Sequence, residues 1–167
     1  MLNASSIGIE IVHPGIRPTA QGREYPPYPK AQIDVLIPLL KDIVRRHEIR
    51  PDRVLGHSDI QPQGKEDPGP QFPWKRLADE GLVPWPNAER VAALRAVYSS
   101  VLPDVAWFQD EMGRLGYDVP RSGALDDATK RVLQAFQMRY RPSNFDGRPD
   151  AETAALVKAL NDAPDVP

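Results

Sequence analysis

The sequence predicts an α/β unit followed by a small all-α domain. The α/β prediction rests on a nearly continuous apolar run at residues 7–12, typical of a buried strand, and on the helical pattern that follows it. The all-α prediction rests on a motif G-x-x-D-x-x-T that occurs at Gly123 and again at Gly147. Proline-rich residues 84–86 mark the boundary between the two units.

Composition excludes several classes of protein. The chain has 167 residues, 21 basic and 23 acidic side chains and a net charge of -2, which gives no reason to expect a nucleic-acid partner. It has no cysteine, so a disulfide scaffold and a thiolate metal site are both excluded. No apolar run approaches the roughly 20 residues that span a bilayer, and no signal peptide is visible at the start.

The first unit contains one polar residue in an apolar setting. Residues 7–12 are predicted to form a strand inside a sheet, and Glu10 lies within that strand. A carboxylate in a buried strand is costly unless it is paired or used. The sequence leaves two interpretations open, a functional Glu10 and a Glu10 on the solvated rim of a strand end.

Two further elements follow in this unit. A helix is predicted over residues 30–48, with His47 on its apolar face and packed at the edge of the core. A second short strand at residues 54–56 would deliver His57 to its end, where ligands bind in open α/β sheets. A short helix over residues 74–80 is stopped by a glycine.

The loop after this second strand carries the most informative residues. His57 and Asp67 are potential metal ligands, and Lys65 adds a cation. Catalytic zinc usually takes three protein ligands and leaves one position for water, and this loop supplies two. The alternatives are polar surface for His57, a solvated pair of Lys65 and Asp67, and a turn residue for Asp59. Phe72 and Trp74, just beyond, are expected to pack the last helix of the unit, the alternative being a role in a substrate cleft.

The second unit, residues 102–162, is predicted to contain three helices around one small core. In each copy of the repeat the glycine closes a turn, and Asp126 or Asp150 caps the helix that follows. A helix over residues 88–100 precedes this unit and is either a connector or the first helix of the unit. We assign residues 87–101 as a connector helix.

Residues 102–162 resemble a peptidoglycan-binding domain of the three-helix type. The resemblance is carried by the two helix starts and by FQ at 108–109, LGY at 115–117 and FQ at 136–137. It implies binding of cell-wall glycan or stem peptide. A domain that only packs against the preceding unit is the alternative.

Residues 1–86 resemble the C-terminal portion of the catalytic domain in the zinc N-acetylmuramoyl-L-alanine amidase family, which has a mixed sheet. The resemblance is carried by SIGIEIV at 6–12, YPP at 25–27, GHSDI at 56–60, KEDPGP at 65–70 and FPW at 72–74. It implies that His57 and Asp67 bind zinc, that Glu10 orients and deprotonates the zinc-bound water, and that Lys65 stabilises the oxyanion. The bond cut would join the lactyl group of N-acetylmuramic acid to L-alanine of the stem peptide.

The sequence departs from this family at one ligand. The first zinc ligand of the family is a histidine on a strand upstream of the Glu10 strand, and only six residues precede Ile7 here. Neither His13 nor His47 is a credible replacement. We therefore expect the third ligand, and any segment targeting the protein to the periplasm or outer membrane of the bacterial envelope, to lie upstream of Met1.

Three hypotheses follow for the chain as given. In the first it is the C-terminal portion of a wall-remodelling zinc amidase, and alone it binds zinc weakly and is nearly inactive. In the second it is a non-catalytic peptidoglycan-binding protein derived from an amidase. In the third it is a structural protein that uses the helical unit for docking. Retention of Glu10, His57, Lys65 and Asp67 together favours the first.

Overall fold

The computed structural model describes residues 4–20 and 22–163, and these are mostly helical. No helix among them is both long and apolar enough to span a bilayer. In chain order the elements are β1 (Arg17–Thr19), β2 (Gly22–Glu24), α1 (Lys30–His47), a 3-10 turn (Pro51–Arg53), α2 (His57–Ile60), α3 (Trp74–Asp79), α4 (Ala88–Ser100), α5 (Val105–Arg114), α6 (Asp127–Tyr140) and α7 (Ala151–Asn161).

The predicted buried strand at residues 7–12 is wrong for the described part of the chain. These residues lie outside any strand, and Ile7 and Val12 are 50% and 86% exposed. The two strands that are present, β1 and β2, pair antiparallel with each other, Arg17 opposite Glu24. A strand needs a neighbour to take up its backbone groups, and the described residues offer none to this run. The mixed sheet is therefore not observed in them.

The predicted strand at residues 54–56 is also wrong. Its backbone groups are used by side chains instead of a neighbouring strand: Val54 O accepts from Arg139 Nη2 at 3.2 Å, and Gly56 N donates to Asp59 Oδ2 at 2.9 Å. His57 consequently begins the short helix α2 and does not lie on a loop.

The predicted helix at residues 30–48 is confirmed as α1. Its buried residues Ile33, Leu36 and Ile37 form the first core together with Phe72, Trp74, Leu77, Leu82 and Val83. Phe72 and Trp74 pack in this core, as expected. His47 was predicted at the core edge and is exposed, because the last turn of α1 extends beyond the core.

The second unit forms the predicted helices around its own core. Asp126 and Asp150 accept hydrogen bonds from the backbone N–H of Thr129 and Thr153, so both predicted N-caps are confirmed. The core is made by α5, α6 and α7 with Phe108, Met112, Val132, Leu133, Phe136, Ala154, Leu156 and Val157. Helix α4 packs along α7, with its Val91 and Tyr98 against this core.

The repeat extends to the helix that precedes each cap. Gln109 accepts from Gly123 N at 2.8 Å and donates to Thr129 Oγ1 at 2.8 Å. Gln137 accepts from Gly147 N at 2.9 Å and donates to Thr153 Oγ1 at 3.0 Å. Both glutamines are buried. Each forms hydrogen bonds with the glycine of the turn and with the threonine in the first turn of the helix that follows, so its own polar atoms have partners.

Candidate metal centre

His57 and Asp67 lie side by side at the surface. His57 Nδ1 is 3.1 Å from Asp67 Oδ2, and the two side chains are 46% and 64% exposed. Their segments are joined by a backbone hydrogen bond from Ser58 N to Asp67 O at 2.8 Å. Gly56, before His57, packs so closely on Pro68, after Asp67, that a Cβ there would lie 2.7 Å from the proline ring. The pair is therefore held by a backbone hydrogen bond on one side and by close packing on the other.

The chemistry of this pair fits part of a zinc site. An imidazole nitrogen and a carboxylate oxygen are both zinc ligands, and a catalytic site usually adds a third from the protein. Among residues 4–20 and 22–163, no group of three or more His, Cys, Asp or Glu side chains is arranged to hold a metal ion. The described residues thus supply two adjacent candidate ligands and not a complete set.

Glu10 and Lys65 are both exposed. Glu10 lies in the N-terminal segment outside any helix or strand, and Lys65 follows a turn in which its backbone N–H donates to Gln61 O at 3.0 Å. Within the described ranges neither side chain makes a hydrogen bond or ion pair with His57 or Asp67. The structure brings the two predicted ligands together and does not connect the two predicted catalytic residues to them.

The other histidines are engaged elsewhere. The ring of His13 stacks on Tyr28 with centroids 4.1 Å apart. Its Nδ1 accepts from Gly15 N at 3.1 Å, so the proton resides on Nε2, which donates to Pro26 O at 2.9 Å. His47 is at the exposed end of α1. Neither therefore joins the His57–Asp67 pair.

A cleft of about 430 Å³ adjoins Asp67. Arg23 and Glu66 face each other in it as a bidentate pair at 3.1 and 2.8 Å. Burial raises the pKa of Tyr25 and of Tyr28, so both hydroxyls keep their protons, which they donate to Glu66 Oε2 at 3.4 Å and to Pro68 O at 3.0 Å. A polar molecule placed beside Asp67 would therefore meet one ion pair and two tyrosine hydroxyls that can still accept a hydrogen bond.

Asp59 has a role that sequence reasoning missed. It is buried, and its carboxylate accepts from Arg139 Nη1 at 2.5 Å, from Tyr117 OH at 2.7 Å and from Gly56 N at 2.9 Å. Burial raises the pKa of Tyr117 well above its ordinary value, and the charge of Asp59 adds to this, so the hydroxyl remains a donor. The one signal in the sequence was Arg139, a cation within the apolar stretch of α6.

Comparison with known proteins identifies both units. Residues 1–70 match the sequence profile of the family described as "N-acetylmuramoyl-L-alanine amidase". Residues 102–157 match that of the family described as "Putative peptidoglycan binding domain".

Individual relatives agree with these matches. The chain is 44% identical over 162 residues to N-acetylmuramoyl-L-alanine amidase AmiD of Escherichia coli (strain K12), a match that covers 95% of this chain and 58% of AmiD. It is 38% identical over 75 residues to 1,6-anhydro-N-acetylmuramyl-L-alanine amidase AmpD of Enterobacter cloacae, covering 45% of this chain and 35% of AmpD. The chain thus spans well under two thirds of these relatives.

Solved structures show the same likeness. The E. coli AmiD complex with anhydro-N-acetylmuramic acid-L-Ala-D-gamma-Glu-L-Lys superposes with a TM-score of 0.80 at 42% identity, over 87% of this chain and 57% of that one. AmpDh3 of Pseudomonas aeruginosa, in complex with anhydromuramic pentapeptide, gives a TM-score of 0.78 at 37% identity, over 87% and 58%. Residues 1–70 thus belong to the N-acetylmuramoyl-L-alanine amidase family, and residues 102–157 belong to the family of the putative peptidoglycan-binding domain.

Proposed function

We propose that this chain is part of a peptidoglycan hydrolase that cleaves the amide between the lactyl group of N-acetylmuramic acid and L-alanine of the stem peptide. The observation that carries the proposal is the braced His57–Asp67 pair, an imidazole and a carboxylate 3.1 Å apart in a chain of the amidase family. The solved relatives hold anhydromuramyl peptides, which supports a muramyl peptide as the substrate class.

The proposed metal is zinc, held by His57 and Asp67 together with a third ligand outside the described residues. When bound, zinc polarises the amide carbonyl and lowers the pKa of water toward neutrality. The exposure of both side chains leaves room for an ion and a substrate at the same face. This arrangement suits an amide, which is a poor electrophile and needs activation.

Glu10 and Lys65 are the proposed catalytic side chains. Glu10 takes a proton from the attacking water and passes it to the leaving amine, as a general base and then a general acid. Lys65, two residues before Asp67, stabilises the negative charge that develops on the carbonyl oxygen. Neither contacts the pair in the described structure, and catalytic contacts of this kind often form only in the substrate complex.

The helical unit at residues 102–162 is proposed to bind cell-wall glycan or stem peptide. The profile match over residues 102–157 supports this role. Activity on peptidoglycan would place the protein in the bacterial envelope, in the periplasm or at the outer membrane.

The test is release of stem peptide from purified sacculi and from anhydromuramyl peptides, followed by mass spectrometry at high protein concentration with added Zn²⁺. We expect slow release by the 167-residue chain. Glu10→Gln, His57→Ala and Asp67→Asn should each abolish it. Wild-type release no greater than that of these variants would overturn the proposal. Stoichiometric tight zinc with fast turnover would overturn the separate expectation of a weak site.

Non-catalytic wall binding is the second candidate, and the match of residues 102–157 to a peptidoglycan-binding family favours it. The distinguishing result is co-sedimentation of the chain with sacculi without peptide release, unchanged in His57→Ala. Loss of peptide release in that variant with retained co-sedimentation would instead support the amidase.

A further inference from the structure

We propose that Arg139, on α6 of the helical unit, is a positioning residue for the His57–Asp67 pair and acts on it through Asp59. The identity of that pair as metal ligands rests on the proposed function, whereas the mechanical link is independent of it. The helical unit would then help to build the metal centre in addition to any contact with the wall.

A buried ion pair between Arg139 and Asp59 joins the two units. The side chains of Arg139 and Asp59 are 4% and 5% exposed, and they meet at 2.5 Å. The guanidinium also lies 4.1 Å from the ring centroid of Trp74, a residue of the first core. Burial lowers the pKa of Arg139, but its neighbours Tyr140, Asp59 and Tyr117 together more than offset it, so the net shift is upward and the side chain stays charged.

Asp59 is linked in turn to the segments that carry His57 and Asp67. The oxygen that accepts from Arg139, Oδ2, also accepts from the backbone N–H of Gly56 at 2.9 Å, the residue before His57. Gly56 in turn packs on Pro68, the residue after Asp67. A loosened Asp59 therefore frees the backbone on one side of His57 and the packing that holds Asp67 against it.

A second contact holds the loop between the ligands. Arg131 Nη1 donates to Gln63 O at 2.6 Å, and Gln63 Nε2 donates to Ala128 O at 3.0 Å. Both partners of Gln63 are on α6, as Arg139 is. One helix of the second unit thus holds the ligand-bearing segment at its start and at its middle.

Arg141 provides a matched control for a role in folding alone. It is two residues further along the chain and equally buried, with 7% of its side chain exposed, and it pairs with Asp150 at 2.7 Å inside its own unit. Its ion pairs are with Asp150 and Glu152 of the same unit, so its loss would destabilise the helical unit without touching the ligand segment. Removing either arginine leaves a carboxylate without its main cation.

The experiment compares Arg139→Met, Arg139→Lys and Arg141→Met by native-state amide exchange. We expect the Gly56 and Ser58 amides to exchange at least about tenfold faster in Arg139→Met, relative to the amide of Ile37 in the same molecule, because local opening no longer breaks the ion pair. Arg139→Lys should fall between, since lysine keeps the charge without the guanidinium fork. In Arg141→Met the ratio should stay unchanged. Equal ratios in the two methionine variants would overturn the proposal.

Tyr117→Phe serves if Arg139→Met does not fold, because it removes only the hydroxyl that donates to Asp59 Oδ1. Its Gly56 and Ser58 amides should also exchange faster than wild type, and an unchanged rate would contradict the link.

Zinc titration against a chromogenic chelator is the second readout. Arg139→Met should bind Zn²⁺ about tenfold more weakly than Arg141→Met, which corresponds to a loss of about 1.4 kcal/mol. Equal zinc affinity would contradict positioning of the ligands. Failure of wild type to take up Zn²⁺ would count against the proposed function, and the exchange ratios would still decide the mechanical link.

Discussion

His57 and Asp67 meet because the residues beside them have little freedom. Ser58 N donates to Asp67 O, and Gly56 leaves no room for a side chain between Pro68 and Trp74. The glycine is required here by close approach, because its backbone (φ -87) is one that any residue adopts.

The prediction at this site is that Gly56→Ala destabilises the fold and loosens the ligand pair. Its Cβ would lie 2.7 Å from Pro68 Cδ and 3.1 Å from Trp74 Cζ2, so we expect a loss of about 1–3 kcal/mol in the free energy of unfolding, measured in urea. The control is Gly64→Ala, whose nearest neighbour would be Gln61 Nε2 at 3.6 Å, an ordinary contact. Equal stability of the two variants would contradict the close-packing account.

The sequence predicted that His57 and Asp67 act as a pair, and the structure places them side by side, but sequence reasoning misjudged Asp59. The two predicted ligands occupy one short segment, so their types and spacing are visible in it. The partner of Asp59 is 80 positions away, and no local pattern reports such a pairing. Asp59 was therefore weighed only as a turn residue.

The two helix starts of the repeat share the motif G-x-x-D-x-x-T but differ in packing. Gly123 and Gly147 both have φ +71, the left-handed region that glycine favours. A Cβ at Gly123 would meet open space, whereas one at Gly147 would lie 2.6 Å from Lys130 O. The second glycine is thus packed against α6, whereas the Cβ position of the first faces open space.

This difference predicts unequal effects of the same substitution. Gly123→Ala should lower the free energy of unfolding by about 1 kcal/mol through backbone strain alone. Gly147→Ala should lower it by at least about 1 kcal/mol more, because the backbone at Lys130 must also move. Thermal or urea unfolding of the pair checks this. Similar losses in both variants would show that the turn relaxes without the contact to α6.

Helices were predictable here and strands were not, for a physical reason. A helix closes its hydrogen bonds locally, so apolar period and caps such as Asp126 and Asp150 suffice to indicate α6 and α7. A strand depends on a neighbour, which the apolar pattern of residues 7–12 does not reveal. The strand prediction for residues 54–56 was wrong for a similar reason. There the side chains of Arg139 and Asp59 form hydrogen bonds with Val54 O and Gly56 N, and no neighbouring strand does.

At the scale of the whole molecule, ion pairs join elements and set the response to acid. Hydrogen bonds from Arg76 and then Lys30 lower the pKa of Asp34, linking α1 to α3. Hydrogen bonds from Lys158 and then Arg90 lower the pKa of Asp162, linking α7 to α4. The backbone N–H of Thr129 lowers the pKa of Asp126.

The sign of the pH dependence follows from these shifts. Each carboxylate has a lower pKa in the folded state than in the unfolded state. Each therefore stabilises the fold fully at a pH above its unfolded-state pKa, and this stabilisation is lost as the pH falls through the folded-state pKa. Urea unfolding should give constant stability from neutral pH to about pH 5 and declining stability below about pH 4. The stability of Asp126→Asn should decline less steeply at acid pH, because asparagine still caps α6 but does not titrate. Stability that rises on acidification would contradict this.

A zinc double-mutant cycle decides whether His57 and Asp67 hold one metal ion together. Isothermal titration would compare wild type, His57→Ala, Asp67→Asn and the double variant, with His47→Ala as an exposed-histidine control. We predict one weakly bound Zn²⁺ per wild-type chain, unaffected by His47→Ala. Either single substitution should remove most of the affinity, and the second should add little. Zinc bound with wild-type affinity by the double variant would contradict the account.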